Sequence, residues 1–115
     1  MKNTRFTVAN LMELESMTGS EVISGANGLW KPVSMLNIME VPDIIDWVQP
    51  GDFLLTTAYS FKDHEEGLTN LIHALIEKNI AGFGIKMKRY VDKIPQEALD
   101  KAELHEFPII EIPFD

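Results

Sequence analysis

Three clusters of polar side chains stand where apolar segments of this 115-residue chain end. Glu40 follows the apolar stretch Val33 to Met39, Thr56 and Thr57 close the stretch that starts at Phe53, and Lys86 closes Ile80 to Ile85, with Arg89 and Tyr90 close behind. They offer a carboxylate acceptor, two hydroxyls that donate and accept, fixed cations and a phenol. Such a set suits a small polar ligand carrying amide or ureido groups. Glu40 would accept ligand N–H bonds, and Lys86 or Arg89 would pair with a carbonyl or carboxylate. Each residue also has a purely structural reading. Glu40 could be a surface carboxylate before a proline turn. The threonines could satisfy backbone groups, and Lys86-Met87-Lys88-Arg89-Tyr90 could be a solvated loop. The functional reading gains weight because all three clusters fall at expected strand ends of the same hand, where open α/β sheets bind ligands.

Other candidates carry less. His64, His73 and His105 have no second histidine or cysteine at metal-ligand spacing, so no metal site is expected. Ser34 and Ser60 lack the glycines of a nucleophile elbow, so no catalytic residue is assigned and no enzyme is expected. Gly82 and Gly84 lie within a strand rather than opening a helix, which leaves no phosphate loop and no expected cofactor. Asp43 reads as a helix cap. Trp30 and Trp47 could stack on a planar ligand, but core packing is the better expectation, as it is for Met12, Met17, Met35, Met39 and Met87.

The elements that must position these residues are legible in outline. Thr7 caps a short helix through about Leu14. Glu21 to Ser24 is a weak strand and Gly25 to Gly28 a turn. Strands are expected over Val33–Met39, Phe53–Thr57, Ile80–Ile85 and Pro108–Ile112, with a short helix over Asp43–Val48. Leu68, Leu71, Ile72, Leu75 and Ile76 form one buried stripe of a helix from Asp63 to Lys78, with Asp63 as cap and Asn79 as stop. A second helix runs from Ile94 to about Glu106. Strand and helix alternate in the second half, which gives βαβ units. The expected fold is therefore α/β: one three-layer-like domain over residues 1–115, with a mainly parallel central sheet flanked by helices.

Composition bounds the function. A content of 45% hydrophobic and 24% charged residues is that of a soluble globular protein. No apolar run approaches the ~20 residues of a membrane span, so no membrane partner is expected. The absence of cysteine excludes disulfides and fits a reducing cytoplasm. A formal charge of -8 argues against this chain gripping nucleic acid itself.

Several linked blocks carry a family resemblance: Glu40-Val41-Pro42-Asp43, Trp47-Val48-Gln49-Pro50-Gly51-Asp52-Phe53-Leu54-Leu55-Thr56-Thr57, Ala81-Gly82-Phe83-Gly84-Ile85-Lys86, and Phe107 to Pro113. From Thr7 to Pro113 the chain resembles the N-terminal domain of purine catabolism regulatory proteins of the PucR type. Ala58 departs from the pattern, which has glycine after the two threonines in many relatives. The resemblance implies a sensor domain of a cytoplasmic bacterial transcription factor, cut from a longer regulator that touches DNA through a C-terminal helix-turn-helix outside this chain. It also implies a purine-derived or ureide-like metabolite as ligand. The site residues read from the strand ends are Glu40, Thr56, Thr57, Lys86 and Arg89, and a homodimer is the expected assembly. The alternative is a ligand-free dimerisation module.

Overall fold

The computed structural model describes residues 6–40, 43–61, 64–87 and 93–113. Its centre is one five-stranded sheet of β1 (Glu21–Ser24), β2 (Met35–Ile38), β3 (Asp52–Thr56), β4 (Gly82–Lys86) and β5 (Ile109–Ile112). The strands lie in the order β1-β5-β4-β3-β2. Strands β2 to β5 run parallel, and β1 alone is antiparallel, against β5. The helices are α1 (Val8–Met12), α2 (Glu65–Glu77) and α3 (Gln96–Leu104). The mainly parallel α/β sheet read from the sequence is thus observed.

Strand alternation divides the core in two. Leu54, Phe83, Ile85 and Ile109 face α2 and α3, meeting Leu68, Ile72, Leu75, Ala98 and Ala102. Phe53, Ile110 and Ile112 point the other way, onto Val8, Leu11 and Met17 from α1 and the turn after it. Each fully buried side chain of this size contributes roughly 1.5–3 kcal/mol. On that second face, β4 presents Gly82 and Gly84. A Cβ on Gly82 would stand 2.7 Å from the Phe53 ring, and one on Gly84 would stand 2.6 Å from Leu55. The glycines make room for the side chains of the adjacent strand.

Local signals account for the boundaries. Thr7 caps α1 as expected: its Oγ1 accepts the Asn10 N–H, while Asn10 Oδ1 accepts the Thr7 N–H. Helix α2 stops at Asn79, whose φ of 63° is left-handed. The Ile80 N–H reaches back to Leu75 O and the Asn79 N–H to Ile76 O. The same pairing recurs after α3, where Phe107 N–H donates to Ala102 O and Glu106 N–H to Glu103 O. Each motif turns a helix into the strand that follows it.

Some expectations are corrected. The helix expected over Asp43–Val48 is a single 3-10 turn, Ile44–Asp46, and the Asp43 side chain makes no capping bond. Trp30 and Trp47 are 62% and 60% exposed rather than packed in the core. Ile44 and Val48 take the inward positions around Trp47, and other apolar side chains, Phe53 and Phe83 among them, already fill both faces of the sheet. Met35 is also exposed, because β2 is an edge strand. The proposed cap Asp63 lies outside the described residues; His64 holds the cap position without a side-chain bond.

Candidate functional site

Parallel register brings the polar strand ends together. Ile38 pairs with Leu55, so two residues further on Glu40 lies beside Thr57. Thr56 pairs with Ile85, which sets Lys86 one strand over from Thr57. Arg89 and Tyr90 lie outside the described residues.

Glu40 and the threonines are bonded to one another. Glu40 Oε1 accepts from Thr56 Oγ1 at 3.0 Å and from Thr57 Oγ1 at 2.8 Å, while Oε2 accepts the Thr57 N–H at 2.8 Å. Thr56 Oγ1 in turn accepts the Ala58 N–H at 3.0 Å, and Ser60 Oγ donates to the Glu40 carbonyl at 2.7 Å. Three of the roughly four acceptor positions on the Glu40 carboxylate are therefore in use. The carboxylate clamps the end of β2 to the end of β3, and the Glu40 carbonyl ties it to the 3-10 turn Tyr59–Phe61. Ala58, held inside the clamp, is buried at a left-handed φ of 64°. Glycine adopts that conformation without strain, which accounts physically for the glycine expected at this position.

Beside the clamp runs a shallow groove of about 370 Å³ lined by Ile38, Met39, Glu40, Asp43 and Trp47. It combines an exposed indole with two carboxylates. Such a surface can stack a flat group and accept N–H bonds along its rim. Among the described residues, no group of three histidines, aspartates or glutamates is placed to hold a metal ion.

A second polar pair escaped the reading of the sequence. Asp52, buried at the start of β3, accepts the Asn37 amide at 2.6 Å and the Gln49 N–H at 2.8 Å. It ties β2 to β3 at the end opposite the clamp. Asn37, a lone polar residue in an apolar strand, was the available signal.

A profile described as "Purine catabolism regulatory protein-like family" matches residues 10–115. Over 106 residues the chain is 38% identical to a "Purine catabolism regulatory protein" of Bacillus subtilis (strain 168), covering 92% of this chain and 20% of that one. It is 26% identical over 110 residues to a "Transcriptional activator PmfR" of Paenarthrobacter nicotinovorans, covering 96% and 23%. The chain thus spans about a fifth of the length of these curated relatives. A solved structure titled "The Structure Of Potential Metal-Dependent Hydrolase With Cyclase Activity" is similar at a TM-score of 0.45 and 20% identity, over 86% of this chain and 63% of that one, a likeness too slight to bear on activity.

Proposed function

The chain belongs to the purine catabolism regulatory protein-like family, and on that footing we propose that it is the ligand-sensing domain of a bacterial transcriptional regulator. It binds a small polar metabolite, purine-derived or ureide-like, at the carboxyl ends of β2, β3 and β4. Glu40, Thr56, Thr57, Lys86 and Arg89 form the site, with Trp47 as its apolar wall. DNA contact belongs to a separate helix-turn-helix module, the working compartment is the cytoplasm, and the assembly is a homodimer.

The observation that carries the proposal is the Glu40 clamp at the rim of the Trp47 groove. A ligand N–H that competes for Glu40 Oε2 releases the Thr57 N–H and loosens β2 from β3. Through Ser60 the change reaches the turn Tyr59–Phe61. A ligand can act as a signal only through different affinities for the clamped and loosened states, and this clamp supplies such a difference. Titration calorimetry with a panel of ureides and purines tests the proposal. Trp47→Ala and Lys86→Ala should each weaken binding roughly tenfold, the effect of about 1.4 kcal/mol. Unchanged affinity in both variants overturns the site.

A second reading, ligand-free dimerisation, is favoured by the edge of the sheet. Along β2, Met35, Leu36 and Ile38 are exposed beside Trp47, and an uncovered apolar edge strand is a template for pairing. Sedimentation of wild type and Ile38→Lys, read together with a thermal-shift screen of metabolites, separates the two. If this reading holds, a dimer is lost in Ile38→Lys and no metabolite stabilises the chain.

A further inference from the structure

At the opposite end of the sheet, a cavity of about 320 Å³ opens among the turns that lead into the parallel strands. Its lining includes Trp30, Lys31, Gly51, Asn79, His105 and Phe107. The volume is at the low end of the ~300–1,000 Å³ usual for small-molecule pockets.

The walls are fixed by main chain. Lys31 is held by its carbonyl, which accepts the Val8 N–H at 3.0 Å. Asn79 sits in the left-handed stop of α2, its carbonyl accepting the Gly51 N–H at 3.0 Å. His105 is the C-cap of α3. The main chain of Lys31 and Asn79 is anchored in this way, and the exposed side chains of Trp30, Asn79 and His105 present polar groups at the cavity. Among the described residues, the Trp30 indole N–H, the Lys31 ammonium, the Asn79 amide and the His105 ring enter no hydrogen bond. Lys31 is half-buried, and burial lowers its pKa against the opposing pull of Glu106. A partly desolvated cation without a bonded acceptor is stabilised by any ligand oxygen brought to it.

From these juxtaposed groups we infer a second ligand site here, one that takes a small planar heterocycle bearing ring carbonyl oxygens. The exposed Trp30 face supplies stacking, which tolerates any flat π-system. Lys31, Asn79 and His105 supply hydrogen bonds to carbonyl oxygens at the ring edge. Asn79 also offers an amide oxygen to a ring N–H. A non-planar ureide would keep the polar contacts and lose the stacking. The site stands apart from the strand-end groove, so either can exist without the other.

The two tryptophans report on the two sites separately, because Trp30 lines this cavity and Trp47 the groove. Each gives one indole N–H cross-peak in a ¹⁵N–¹H spectrum, assigned with Trp30→Phe and Trp47→Phe. Hypoxanthine serves as the planar probe and allantoin as the non-planar one, each to about 5 mM, where a millimolar Kd comes near saturation. The expected result is a saturable shift of the Trp30 peak with hypoxanthine and roughly tenfold weaker binding of allantoin. Affinity for hypoxanthine should fall in Lys31→Met and in His105→Ala, the second an exposed position whose loss leaves the fold intact. A Trp30 peak that neither probe moves overturns the inference, and so does equal affinity in both variants. A shift of Trp47 alone also overturns it while leaving the strand-end reading standing. A shift of Trp30 alone supports this site and counts against the groove.

Discussion

Replacing Glu40 by alanine should destabilise the domain by about 2–3 kcal/mol, although the side chain is exposed. The figure comes from the three bonds it receives. Thr56 is 3% exposed, so its hydroxyl donor loses its acceptor where water has little access, at roughly 1–2 kcal/mol. Thr57 is only half-buried, so its N–H and hydroxyl turn to solvent and each loses roughly 0.5 kcal/mol. For a domain of this size, roughly 4 °C of Tm accompanies each kcal/mol, so the expected drop is about 10 °C. Glu40→Gln should cost about half as much, since the amide oxygen still accepts on one side while its NH₂ opposes the Thr57 N–H. Thermal and urea unfolding of both variants would measure this. In a double-mutant cycle, Thr56→Val carries its own cost in either background because it frees the buried Ala58 N–H, and its coupling to Glu40→Ala should be about 1 kcal/mol. A Glu40→Ala loss under about 0.5 kcal/mol, or strict additivity with Thr56→Val, would refute the clamp.

Three other outcomes follow from the same geometry. Gly84→Ala places a methyl within 2.6 Å of Leu55 and 2.9 Å of Ile112, and should cost about 1–3 kcal/mol in urea unfolding, with Gly82→Ala similar against the Phe53 ring. Glu106→Gly relieves a left-handed φ of 56° after α3 and should raise stability by about 1 kcal/mol, measured as a higher Tm. The Lys31 pKa is lowered by burial from 10.5 in the folded state, so just below pH 10.5 the unfolded chain binds more protons. Stability from this group therefore rises with pH through that window. Lys31→Met should remove the slope and be the more stable protein at pH 7, which unfolding curves at successive pH values would read.

What the sequence disclosed, and what it hid, divides along a physical line. Features written in local spacing were legible: the Thr7 cap, the stripe from Leu68 to Ile76, the Asn79 stop and the strand ends. Strand order was not, because pairing β1 with β5 joins residues about ninety positions apart and no local pattern encodes it. Edge position follows from order, so the exposure of Met35, Ile38 and Trp47 was hidden as well. The strand-end residues were singled out individually. Their mutual bonding was missed, since a Glu40–Thr57 contact depends on the register of β2 against β3. Asp52 was passed over for the same reason: its value lies in Asn37 on the neighbouring strand.

Whether a metabolite engages the clamp is read most directly from the Thr57 amide, because its N–H is bonded to Glu40 Oε2. In a ¹⁵N–¹H titration with the tightest-binding member of the ureide and purine panel, the Thr57 amide and the Trp47 indole should shift together along one saturation curve. A metabolite that binds the chain and leaves both resonances unmoved would contradict the account.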